Sequence, residues 1–260
     1  FNSALGVCHN PHTVSSHSEN KPFATSYFAS SLGYRLKDKG KVHKAAAEGD
    51  LAKLKELVAK QKYDINQVDK CLGSPLHIAC AAGYVQTVQF LVESKAMLNQ
   101  RDKQNRSPLM KAVQGQHESC VSVLLENHAK PNLVDIVGNT ALHLTAKMAS
   151  VNMAHLLLLY DADIDVPNID GLTPLGVAVR DNHFEMAEFL LQEGADVNTI
   201  DVNKRSLLMM AAENGQVKML QLLLQNEADV TLQDNKGLTA KDYLRAFVKT
   251  AKKKLHDQNM

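Results

Sequence analysis

The sequence predicts an all-α solenoid, made of stacked helix pairs joined by short hairpin-like loops. Three observations carry this. Asp69, Asp102 and Asp135 stand 33 residues apart, and the same step reaches Asn168, Asp201 and Asp234. Five residues after each comes a hydroxyl: Ser74, Ser107, Thr140, Thr173, Ser206 and Thr239. An apolar stripe then recurs, as in Val121-Val123-Leu124-Leu125 and Leu222-Leu223-Leu224. A fixed period of this kind marks units that cannot bury their apolar faces alone and do so by stacking.

The elements follow in order. Residues 1–33 are rich in Ser, Asn and His, show no period, and predict a mostly disordered arm. Residues 34–68 read as a degenerate N-capping repeat. Its Val42-His43-Lys44-Ala45 matches the start of the later units, and Asp64-Ile65-Asn66 matches their end, with one extra residue between. Lys44, Lys53, Lys55 and Glu56 give it the polar face that an end of the stack needs.

Residues 69–233 make five repeats of 33 residues. In each, Ser or Thr caps the free N–H groups of a short helix, and Pro75, Pro108 and Pro174 fit its first turn, where a missing N–H costs nothing. SPLHIACAAG therefore predicts a helix that stops near Gly83, followed by a more apolar helix from about Val85 to Glu93. Residues 234–260 keep Thr239 but have Ala240 and Lys241 where Pro and Leu stood, with Asp242, Arg245, Lys249 and Lys252 to Lys254 on one side. This reads as a C-capping half-repeat and tail, and the lysine run as a solvated cap.

The period, the T-P-L-H-x-A pattern and the helix-pair layout resemble the ankyrin repeat. Within that family, GYRLKDKGKVHKAAAEGDLAKLKELV and SPLMKAVQGQ are similar to a vertebrate group that includes the POTE proteins and ankyrin repeat domain-containing protein 7. The resemblance covers about residues 33 to 240, and the His- and Ser-rich start departs from it. It implies an ankyrin solenoid in which the second helix usually ends at Gly, because the chain turns left-handed there. Here that position holds Lys95, His128, Asp161, Gly194 and Glu227, and the turn between the two helices holds Gly83, Gln116, Ala149, Asn182 and Gly215. Pro131 also replaces the usual Val in its loop. These departures predict a modestly stable array, softest around repeats two and three.

Composition narrows the function classes. The chain has 260 residues and 45% apolar content, enough for a sizeable core, but only 5% aromatics and no Trp. A net charge of +1 gives no reason to expect nucleic-acid binding. Cysteines at 8, 71, 80 and 120 have no paired spacing, which fits a reducing compartment. No apolar run approaches a membrane span, and there is no basic start followed by an apolar h-region. The first residue is Phe, as expected of a fragment, a processed chain or an incomplete gene model. The expectation is a cytoplasmic or nuclear monomer without cofactor or metal.

Two constellations look chemical. Ser74, His77 and Cys80 hold the groups used in nucleophilic catalysis. Yet the hydroxyl recurs in every unit, and the His position runs His77, Met110, His143, Gly176 and Met209. A catalytic residue is needed once, whereas a structural residue recurs, and the resemblance implies an imidazole that ties neighbouring loops. No catalytic residue is assigned. Cys8, His9, His12 and His17 could hold zinc in principle, but lack a second ligand pair at finger spacing. They read as part of a polar tail.

Binding is the expected activity: a non-catalytic scaffold or adaptor, with stoichiometric inhibition of a partner enzyme as the alternative. Loop tips and first helices line the surface that a solenoid offers to partners. The tips are basic and polar in repeats one and two, then apolar, with Ile136, Val137, Ile169, Leu172 and Val202. Met148, Arg180 and Arg205 complete the candidate site. Exposed apolar groups rimmed by charge mark interaction surfaces; the alternative is that these side chains fold back onto neighbouring tips. The resemblance also implies an asparaginyl hydroxylase as modifier, since L-x5-D-V-N is matched from Leu190 to Asn198, with Asn66 a weaker match. The other reading is that this Asn bonds across its loop.

Overall fold

The computed structural model describes residues 40–60 and 63–258. The arm 1–33, with Cys8, His9, His12 and His17, lies outside the described residues. Thirteen helices are described: α1 (Lys41–Glu48), α2 (Leu51–Ala59), α3 (Pro75–Ala82), α4 (Val85–Glu93), α5 (Pro108–Gln114), α6 (Glu118–Glu126), α7 (Ala141–Lys147), α8 (Val151–Leu159), α9 (Pro174–Arg180), α10 (Phe184–Gln192), α11 (Leu207–Glu213), α12 (Val217–Gln225) and α13 (Ala240–Gln258). The one β feature among these residues is an isolated bridge between Ile200 and Ser206.

Each odd-numbered helix from α3 to α11 starts where the sequence places it. Ser74, Ser107, Thr140, Thr173 and Ser206 accept a hydrogen bond from the backbone N–H three residues on. These helices are buried along almost their whole length because each packs against its own second helix and against the first helices of both neighbours. The even-numbered helices bury one stripe and expose the other. The result is one continuous apolar core, running from Val42 to Ala228.

The loops are built around a buried carboxylate. Oδ1 of Asp102 accepts from the N–H groups of Gln104 and Arg106, and Asp135, Asp201 and Asp234 repeat the pattern. The second oxygen meets a partner of its own: Lys111 Nζ at 2.7 Å for Asp102, Arg205 Nε at 2.8 Å for Asp201, Tyr243 Oη at 2.8 Å for Asp234. Asn168 holds the same two turn N–H groups through Oδ1 without a charge, and turns its amide to Asn139 Oδ1.

Consecutive tips are laced together by single backbone bonds. Lys103 N–H donates to Cys71 O, Ile136 to Gln104, Ile169 to Val137, Val202 to Asp170 and Asn235 to Asn203, all at 2.9–3.1 Å.

The chain turns left-handed at the ten positions expected from the sequence, from Gly83 (φ 78°) to Glu227 (φ 63°). It does so a third time in each repeat, at Leu72, Asn105, Gly138, Gly171 and Lys204. A non-glycine residue in this region costs about 1–2 kcal/mol. Repeat two, 102–134, has no glycine at any of its three left-handed positions (Asn105, Gln116, His128). Repeat four, 168–200, has two (Gly171, Gly194). Native-state hydrogen exchange is therefore expected to show the second helix of repeat two opening more readily than that of repeat four. Stronger protection of α6 than of α10 would contradict this.

The two ends differ. At the N-terminal end, Lys53, Lys55 and Glu56 face water on α2, as a polar cap should. At the other end, α13 does not stop after two turns as the earlier first helices do. It has no glycine or left-handed residue and runs for 19 residues, with Leu244, Phe247 and Val248 exposed beside its basic side chains.

Candidate functional site

Ser74, His77 and Cys80 do come together, in a way that disarms them. His77 Nδ1 accepts from the Ser74 N–H at 3.1 Å and lies 2.8 Å from Ser74 Oγ, while Nε2 donates to the Arg106 carbonyl of the next repeat at 3.0 Å. Thr140 and His143 repeat this arrangement, with Nε2 on Leu172 O at 2.9 Å, and His43 Nε2 donates to Gly73 O. All these side chains are buried, so no substrate reaches the hydroxyl. Burial also pushes the Cys80 thiol well above its usual pKa and the Cys120 thiol up to about 11, so neither is a ready nucleophile. The imidazoles are ties between repeats, as the resemblance implied.

Burial lowers the pKa of His77 and His143 below the ordinary imidazole value, which favours the neutral ring that both bonds require. The unfolded chain takes up these protons near pH 6.5 and the folded chain only at lower pH. Their contribution to stability is therefore complete above about pH 6.5 and is lost as the pH falls through the folded values. The melting temperature is expected to fall between about pH 7 and pH 5, and less steeply in a His77→Met/His143→Met variant. Met209 already stands at this position, with its sulfur accepting from Ser206 N–H. An equal slope in the variant would rule out the imidazoles as the cause.

The binding candidates sit mainly on the laced tips. Ile136 and Ile169 are 62% exposed, Val202 61% and Val137 37%. The first three occupy one register position in three consecutive repeats, and the N–H of each is held by the preceding tip. Their backbone is thus fixed, while most of the surface of Ile136, Ile169 and Val202 is open to water.

Charge lies beside them. Arg180 makes two bonds to Asp181, at 2.9 and 3.1 Å, and Arg205 bridges Asp201 and Glu213, both at 2.8 Å. Met148, which ends α7, is half-buried.

Leu172 does not belong to this row. It is only 5% exposed. Gly176 occupies the place that His77 and His143 hold in repeats one and three, and Leu172 Cδ2 lies 3.2 Å from where a Cβ on Gly176 would stand. The missing imidazole leaves space, and Leu172 fills it. Ile200 and Leu72, both exposed, were not singled out from the sequence. Ile200 immediately precedes Asp201, and Leu72 is one of the left-handed tip residues, a position at which no other unit carries an apolar side chain.

Asn198 is exposed, and its Oδ1 accepts from Asp229 N–H of the next repeat at 2.8 Å. Asn66, Asn99 and Asn132 make the same bridge to Met97, Lys130 and Asp163. The cross-loop bond is thus one the array uses repeatedly. Among the described residues no group of His, Cys, Asp and Glu is placed to hold a metal, and no helix is long and apolar enough to cross a membrane.

Comparison with known proteins agrees with this architecture. A family model described as ankyrin repeats (3 copies) matches residues 42–135 and 127–201, and one described as ankyrin repeats (many copies) matches 190–244. Ankyrin repeat domain-containing protein 7 of Homo sapiens is 49% identical over 67 residues, a match covering 25% of this chain and 26% of that protein. The ankyrin repeat domain of human ASB11 superposes with a TM-score of 0.69 at 31% identity, over 79% of this chain and 91% of that one. The ankyrin repeat domain of Bcl-3, described as a unique member of the IkappaB protein family, gives 0.74 at 25% identity, over 80% and 97%.

Proposed function

We propose, from the premise that the chain belongs to the ankyrin repeat family, that it is a non-catalytic scaffold or adaptor that grips a protein partner along its loop tips. Ankyrin repeats imply protein–protein interaction. The observation that carries the finer reading is the row Ile136, Ile169 and Val202: large, exposed, in one register, and held by backbone bonds to the preceding tips. Apolar anchors of this kind, with the charged Lys204 and Arg205 following Val202 in the same tip, fit an interface core with a polar rim.

Photocrosslinking tests the location. Ile169 on the tips and Leu159 on the outer face of α8 are both 62% exposed, so a benzophenone side chain at either site is equally available. A partner adduct is expected from position 169 and not from 159. Adducts from 159 alone would move the interface off the tips. Inhibition of a partner enzyme, a reading compatible with the likeness to an IkappaB family member, would use the same row. It would differ in showing a stoichiometric loss of the captured enzyme's activity.

A further inference from the structure

Each of the five full repeats lays a second helix against its own first helix and against the preceding second helix. Among the described residues no helix fills that slot beside α13; the Phe247 ring packs against Gly215 at the turn between α11 and α12, and other side chains around the slot are left partly uncovered. On α12, Leu224 is 50% exposed, whereas three of its counterparts, Val92, Leu125 and Leu191, are at most 9% exposed and the fourth, Leu158, is half-buried. Val217, at the start of the same helix, is exposed as well. On α13, Leu244, Phe247 and Val248 are 38–43% exposed. Leu244 stands where Ala79, Ala112, Thr145, Ala178 and Ala211 lie fully covered in the repeats before it.

The shape of the gap specifies its occupant. A slot that the repeat geometry assigns to one helix, lined by apolar groups from two neighbouring helices, accepts an amphipathic helix. Leu244, larger than the small residues at its position elsewhere, requires an opposing small residue or a slightly wider approach. Charge specifies the rest. Lys241, Arg245, Lys249 and Lys252 are all exposed, and their spacing places them along one side of α13. Asp242 is the one acid between 240 and 252. A second copy of the chain, offering its own α13, would bring the same four cations against these. We propose that the groove between α12 and α13 is a second docking site, independent of the tips, for an amphipathic helix of a partner protein with acidic residues along its flank.

The probe is a labelled, end-blocked peptide with the sequence of residues 183–195, HFEMAEFLLQEGA, which serves as a second helix within the chain and carries Glu185, Glu188 and Glu193. Titration of the whole chain into this peptide is expected to give saturable one-to-one binding. Leu224→Asp or Val248→Asp should weaken it about tenfold or more, as should changing the three Glu of the peptide to Lys. Both substituted positions are exposed, so the melting temperature of the variants should stay put, and circular dichroism checks it. Absence of binding, or binding unchanged by both variants, would overturn the proposal. So would a dimer in sedimentation that Leu244→Asp dissolves, which would make a second copy the occupant. Binding to phosphatidylserine vesicles that Val248→Asp abolishes, without binding of the peptide, would overturn it in favour of a lipid surface.

Discussion

Gly171→Ala is expected to destabilise the array by about 2–4 kcal/mol, well beyond the effect of Gly194→Ala. Both glycines have positive φ, 75° and 90°, so both alanines carry the left-handed penalty of about 1–2 kcal/mol. They differ in what the new methyl meets. At Gly194 nothing lies within 4 Å. At Gly171 a Cβ would stand 2.8 Å from Val202 N and 2.9 Å from Asp201 C, which are backbone atoms of the next tip. That tip must retreat, and the bond from Val202 N–H to Asp170 O is the first thing lost, at about 1 kcal/mol or more. Urea unfolding of the two variants beside the wild type measures the difference. Equal losses would mean that the tips are not packed as described.

The same comparison explains what the sequence could and could not disclose. The period and the caps were legible because Ser or Thr, and the carboxylate or amide before it, do the same local job in every unit. The left-handed positions closing the helices were legible because Gly83, Gly194 and Gly215 mark their register. The third left-handed position was not, since Leu72, Asn105 and Lys204 occupy it as readily as Gly138 and Gly171 do, and nothing in those names betrays φ.

Leu172 was misplaced for a related reason. Its burial depends on Gly176, four residues further on, which leaves vacant the space an imidazole fills elsewhere. That is a pairwise compensation, and a reading of tip residues one register position at a time does not see it. At the C-terminal end the lysines dominated the reading. The apolar side chains at 244, 247 and 248 lie on the same helix, and among the described residues no second helix covers them.

Ile136, Ile169 and Val202 were placed at the tips from register alone, and their exposure makes the central claim testable with little disturbance of the fold. Substituting Ile169 and Val202 by Asp places two charges where water already is. Neither residue belongs to the buried core, and the backbone bonds of both to the preceding tips remain. Surface substitutions of this kind usually change stability by no more than about 0.5 kcal/mol. At an interface core, by contrast, an unpaired charge against an apolar surface is expected to cost several kcal/mol, enough to abolish capture.

The decisive measurement is affinity capture with the wild type beside Ile169→Asp/Val202→Asp, with the melting temperature of both proteins recorded. The account predicts a partner retained by the wild type and absent from the variant at nearly equal melting temperatures. A partner retained equally by both would place the interface elsewhere. Loss of the partner together with a large drop in melting temperature would show that these side chains serve the fold and not recognition.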